Sequence, residues 1–172
     1  MKVSVTKFAR IAFGALVLAL SLLPAVSEAR DFVGFGGYAP GTIVVRTHER
    51  QLYFVTAPGQ AIRYPVGVGR AGMAWQGHAY VAKKLIRPSW GPPDDILRAN
   101  PNLPVNIPGG SPANPMGAAV LGLNRGNYAI HGTNAPSSIG HFVSHGCIRM
   151  FNEDIMDLYQ RASIGTQVYV LP

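Results

Sequence analysis

The chain has 172 residues, a formal net charge of +7 and one cysteine. This length holds one ordinary domain with a real hydrophobic core and leaves no room for a second. A single cysteine excludes any internal disulfide.

Residues 1–29 read as a secretory signal peptide. Lys2, Lys7 and Arg10 form a basic front, Ile11 begins an apolar run that ends at Leu23, and Ser27-Glu28-Ala29 offers small residues for cleavage before Arg30. The run is short for a bilayer span, and retention as an anchor is the alternative. No cysteine follows it, which argues against a lipoprotein. The remaining 143 residues carry twelve Lys and Arg against seven Asp and Glu, a net charge of +5. That charge suits an anionic, carboxylate-rich partner in the cell envelope or periplasm, such as cell-wall peptide or a lipid surface, and no nucleic acid is expected. An unpaired thiol in an exported chain is either buried and inert or kept for its reactivity.

Residues 30–41 are rich in glycine, with Phe32, Phe35 and Tyr38 at no regular period, and are expected to be a mobile or loosely docked lead-in. The domain proper is expected over 42–172. Residues 43–45 and 52–55 are β-branched and aromatic runs joined by a polar turn. Ile62, Tyr64, Val66 and Val68 then alternate with Arg63, Pro65 and Gly67, the period of a half-buried strand. Pro65 cannot donate to a ladder and suggests an edge strand. Residues 78–87, 118–123, 127–130 and 167–171 complete a mainly β inventory. Residues 87–117 hold eight of the fourteen prolines and read as a long loop, a lid or substrate wall. One helix is predicted, with Asn152 as its cap, Glu153 and Asp154 at its positive end, Ile155, Leu158, Tyr159 and Ala162 on its apolar stripe, and Gly165 as its stop.

Two letter matches fail on context. Gly67, Gly69 and Gly72 fit a dinucleotide fingerprint but lead toward another strand, and Gly109-Gly110-Ser111 starts like a nucleophile elbow without opening a helix. A zinc site built from His131, His141, His145 and Cys147 would need His141 and His145 on one helical face. Gly140, Val143 and Gly146 disfavour that helix. No metal and no other cofactor is therefore expected.

The stretch Ser144-His145-Gly146-Cys147-Ile148-Arg149 is better suited to thiol chemistry. A thiol needs a base to become a competent nucleophile, and His131 and His145 are the two candidates. In extended chain His145, Cys147 and Arg149 project to one side. Gly146 lets the backbone approach a substrate, so that amides around Cys147 can face a developing oxyanion.

His131-Gly132-Thr133-Asn134 followed by Ser144-His145-Gly146-Cys147-Ile148-Arg149 resembles the signature of the L,D-transpeptidases, the YkuD family. Further resemblance lies at residues 88–93, 114–117 and 152–154. The resemblance implies a β-sandwich of mixed sheets with a capping α-helix. It also implies Cys147 as nucleophile, His131 as general base, and the Gly132 carbonyl orienting the imidazole. Ser144, His145, Gly146 and Arg149 would line the oxyanion and substrate positions. The implied partners are peptidoglycan stem peptides, an envelope protein as a further acyl acceptor, and carbapenem-class β-lactams as inhibitors. The alternatives are an L,D-carboxypeptidase using water as acceptor, and a catalytically idle wall-binding module.

Overall fold

The computed structural model describes residues 30–172; the expected signal segment, residues 1–29, lies outside the described residues. In chain order the elements are β1 (Asp31–Gly34), β2 (Ile43–Arg46), β3 (Gln51–Ala57), β4 (Gln60–Pro65), β5 (Val68–Gly69), β6 (Gly77–Ile86), α1 (Asp94–Ala99), β7 (Ala119–Leu123), β8 (Ala129–His131), β9 (Phe142–Ser144), β10 (Ile148–Arg149), α2 (Asn152–Arg161) and β11 (Gln167–Leu171). The main sheet runs β1-β4-β3-β2-β11-β6-β7-β8-β10, and β5 pairs separately with β9. Three pairs are parallel, β10 with β8, β11 with β2, and β5 with β9, so the sheets are mixed as expected.

The ten-residue β6 organises the two layers. Its first residues, 77–80, pair with β11, and residues 81–86 pair with β7. One strand therefore belongs to both halves, and the apolar faces of the halves share a core. Ile43, Val45, Leu52 and Tyr64 come from one half, Leu121, Ile130 and Ile148 from the other, and Ile155 and Leu158 of α2, with Ala162 just after it, join them.

Strand alternation explains a second cluster. Val44, Tyr53, Val55 and Ala61 point to the opposite face, where Phe35 is buried with them. Phe35 stacks on Tyr53 with ring centroids 4.3 Å apart, and β1 pairs antiparallel with β4. The segment read as a loose lead-in is thus a docked strand and cover. Its single buried aromatic, flanked by glycines, leaves no period to read. Pro65 is corrected by the same observation, because β1 rather than β4 forms the edge. The β1 pairing reaches only Arg63, which leaves the missing Pro65 N–H on an unpaired flank.

The helix α2 begins at the expected place with a different cap. Phe151 occupies the cap position, no side chain caps the first turn, and the Asn152 carboxamide is engaged elsewhere. At the other end the Lys84 ammonium bonds the Tyr159 and Ala162 carbonyls at 2.7 and 2.5 Å, placing a cation at the negative pole of the helix. The helix stops at Arg161, and Gly165, at φ +89°, serves the later turn into β11. Within the long proline-rich segment, residues 94–99 form the short helix α1, too brief to show a period in sequence.

Candidate active site

The outer face of the second half-sheet builds the site. Register places Leu85 opposite Val120, Val120 opposite His131, and His131 opposite Arg149, a row crossing four strands on one face. The next row runs Lys83, Gly122 and Ala129. Cys147 lies two residues before Arg149, so it joins that second row beside Ala129 and diagonal to His131. Parallel pairing of β10 with β8 thus brings thiol and imidazole to one face, where both line a cleft of about 750 Å³. Gly122 and Ala129 keep the row leading to Cys147 low. A Cβ at Gly122 would lie 2.6 Å from the Lys83 stem.

The proline-rich segment forms the facing wall. Pro88, Trp90, Pro93, Ile96, Pro115 and Met116 line the same cleft. The segment is pinned from inside by Asn114, which is 2% exposed. Its carboxamide donates to the Pro88, Ile107 and Pro108 carbonyls and accepts from the Met116 amide. Trp90 and Ile107 exchange backbone hydrogen bonds of 2.9 and 2.8 Å, which closes the base of the loop. The segment thus forms one wall of the cleft.

His131 sits at the end of β8, 2% exposed. Its Nδ1 lies 2.6 Å from the Gly132 carbonyl oxygen, so Nδ1 carries the proton and Nε2 is left with a lone pair. Burial pushes the imidazole pKa down to about 4, and the nearby Arg149 cation pushes the same way; the Gly132 and Pro115 carbonyls offset part of this. Burial raises the Cys147 thiol above its usual range, while the Ala129 backbone and Arg149 pull it down. The resting pair at neutral pH is therefore a neutral imidazole and a neutral thiol. Arg149 itself is half-buried, with its own pKa lowered by desolvation, and makes no ion pair among the described residues.

The chain before Cys147 is not extended as the alternation of residues suggested. It bends at His145 and at Gly146, which has φ +116°. His145, Cys147 and Arg149 nevertheless all reach the cleft. Ser144 also lines the cleft, and its hydroxyl bonds within the turn. Buried at the edge of the cleft, it donates to the Cys147 carbonyl at 2.6 Å and accepts from the Gly146 N–H at 3.0 Å. It builds the turn, and the Gly146 amide is consumed in doing so. His145 is exposed, and its Nε2 lies 2.9 Å from an Arg70 nitrogen. Arginine only donates, so His145 carries its proton on Nδ1. His141 is exposed before β9 and takes no part in lining the cleft.

Three supporting residues, Trp75, Tyr128 and Arg70, carry no signal in the sequence, and a fourth, Asn152, reads there as a helix cap. The Asn152 carboxamide accepts from the Ala118 and Thr133 amides at 2.9 and 3.2 Å and donates to the Thr133 carbonyl at 3.0 Å. It stitches the chain after His131 to the end of the proline-rich loop. A Cβ on Gly132 would collide with its Oδ1, which accounts for the glycine there. Trp75, Tyr128 and Arg70 meet the Ser144–Cys147 turn from β-strand connections remote in sequence. Only tertiary structure reveals these contacts, although an asparagine at a helix start is a visible signal whose partner remains ambiguous.

A mixed β domain with this cleft is the L,D-transpeptidase catalytic fold. The family model described as the L,D-transpeptidase catalytic domain, YkuD, matches residues 40–170, and the chain belongs to that family. It is 37% identical over 136 residues to the probable L,D-transpeptidase ErfK/SrfK of Escherichia coli strain K12, covering 75% of this chain and 43% of that protein. The chain thus spans less than half the length of this curated relative. Among solved structures, an L,D-transpeptidase from Mycobacterium smegmatis shares the fold with TM-score 0.60 at 17% identity, covering 76% of this chain and 58% of that one. A Brucella melitensis structure named as a probable carnitine operon oxidoreductase is 40% identical with TM-score 0.57, covering 84% of this chain and 94% of that one. In the present chain, the glycines matching a dinucleotide fingerprint lead through a turn at 71–73 into β6 and open no helix.

Proposed function

We propose that this protein is an exported, cysteine-dependent L,D-transpeptidase acting on the tetrapeptide stems of peptidoglycan. The observation that carries this reading is His131, held neutral with Nδ1 on the Gly132 carbonyl and placed on the same cleft face as Cys147. Neither partner is charged at rest, so attack and deprotonation are coupled. As Sγ bonds to the carbonyl carbon of the L-centre of the third stem residue, its proton passes to His131 Nε2. Collapse of the tetrahedral adduct breaks the C–N bond, and Nε2–H protonates the departing amine of D-Ala. An acceptor amine then attacks the thioester, gives a proton to Nε2, and expels Sγ, which is reprotonated. Gly132 orients the base, while Arg149 and His145 meet the substrate.

The acceptor is another stem, giving a 3→3 cross-link, or an envelope protein, giving wall attachment. Transfer is favoured over hydrolysis by the proline-rich wall, whose pinning by Asn114 helps to exclude water from the thioester. A cleft whose lining includes Lys83 and Arg149 suits a carboxylate-bearing stem. Carbapenem-class β-lactams are expected to acylate the same sulfur. A relative of this fold, L,D-transpeptidase 3 from Mycobacterium tuberculosis, has been solved with a faropenem-derived adduct.

The test is incubation with a defined disaccharide-tetrapeptide and a D-amino acid as acceptor, read by mass spectrometry. The expected product is mainly transferred stem with little tripeptide. Predominant tripeptide at saturating amine would replace this reading with the carboxypeptidase, and an unchanged tetrapeptide would leave a wall-binding module.

A further inference from the structure

We infer that Trp75 is a positioning residue for the oxyanion donor of the acylation step, acting through the Gly146–Cys147 peptide. This rests on the assignment of Cys147 as nucleophile. The Trp75 indole Nε1–H donates to the Gly146 carbonyl at 2.9 Å. That carbonyl and the Cys147 N–H belong to one planar trans peptide, in which C=O and N–H point in opposite directions. Fixing the oxygen therefore fixes the direction of the Cys147 amide.

Two neighbouring groups of the turn are already committed. The Gly146 N–H goes to the Ser144 hydroxyl, and the Cys147 carbonyl accepts from that same hydroxyl. The Cys147 N–H bonds no protein acceptor among the described residues. It is an unspent donor on the residue whose sulfur lines the cleft, where an oxyanion next to that sulfur would form. A hydrogen bond to the carbonyl end also polarises the peptide and strengthens its N–H as a donor.

The indole is itself held rigidly. It is 7% exposed, stacks on Tyr128 at 5.3 Å with planes 8° apart, and carries the Arg125 guanidinium 4.9 Å from its centroid. Tyr128 in turn fills the space beside Gly146, so the aromatic pair supports the peptide by packing as well as by the hydrogen bond. Nothing in the motif around Cys147 encodes this partner, which arrives from the turn before β6.

Trp75→Phe keeps an aromatic ring against Tyr128 and removes the N–H donor. Two rates separate positioning from simple structure: acylation of Cys147 by a carbapenem, which passes through an oxyanion, and alkylation by iodoacetamide, which does not. Complete loss of one oxyanion donor costs about 10²- to 10³-fold. A misaimed donor is expected to slow acylation about tenfold or more, with alkylation held within about twofold of wild type. Equal acylation in variant and wild type, or a parallel fall in both rates, overturns the inference. Should the variant not fold, the wild-type enzyme still decides. Its Trp75 indole N–H resonance is expected to be protected from solvent exchange and to shift when Cys147 is acylated, and an indole that exchanges freely or does not respond overturns it. Wild-type enzyme that is not acylated at all sinks the nucleophile assignment instead.

Discussion

Replacing His131 by alanine lowers the rate of Cys147 acylation by about 10²- to 10⁴-fold, the usual cost of losing a general base. The loss is large because burial keeps the Cys147 thiol protonated and leaves no preformed thiolate to react without help. Stopped-flow acylation by a carbapenem measures it. The same assay across pH reports the base in the wild type. His131 works only when neutral and its pKa is about 4, so the acid limb falls near pH 4, well below the ~6.5 of an unperturbed histidine. Because the unfolded chain protonates first, stability contributed by the buried neutral ring is present above ~6.5 and is lost as pH falls from there toward about 4. His145→Ala has the milder effect, since that ring is exposed and bonded to Arg70. Wild-type acylation in His131→Ala with an inert His145→Ala would reverse the two roles.

Gly146→Ala is the second substitution with a large effect, and it acts without touching either reacting group. Residue 146 adopts φ +116°, a conformation that L side chains rarely take, and a Cβ there would collide with the Tyr128 ring and lie 3.1 Å from the Met73 carbonyl. Backbone strain of roughly 1–3 kcal/mol and overpacking of similar size are relieved only by moving the peptide or the ring. Moving the peptide turns the Cys147 amide and sulfur away from the reacting carbon, and a displacement of about 1 Å suffices for ~10²-fold in rate. Acylation is therefore expected to fall at least that far while the protein retains its folded circular dichroism spectrum. Partial recovery in Gly146→Ala/Tyr128→Ala would locate the clash; unimpaired acylation in the single variant would show that the turn is not rigid.

The chemistry was more legible in the sequence than the scaffold that aims it. One cysteine among serine, histidine, glycine and arginine, with a second histidine motif upstream, is a local pattern, and parallel pairing of β10 with β8 turns that spacing into proximity. The strands of alternating burial were equally readable, because period two is imposed by the pleat itself. What escaped was set by contacts distant in sequence. Asn152 reads as a helix cap, yet its carboxamide is drawn to Thr133 and Ala118 across the site. Phe35 and Tyr38 have no strand period, yet the outer sheet face offers Phe35 a stacking partner in Tyr53 and Tyr38 a tilted ring contact with Tyr169. Ser144 lines the cleft, and the direction of its hydroxyl, toward the Cys147 carbonyl, depends on a bend centred on one glycine that a motif does not reveal.

The central claim is that Cys147 carries the acyl group. Incubating the full protein with a carbapenem, then digesting it and mapping the adduct by mass spectrometry, tests this most directly. One covalent addition per chain, located on the peptide containing Cys147 and absent in Cys147→Ala, is the predicted result. An adduct on another residue, or none on enzyme whose thiol has first been reduced, would contradict it.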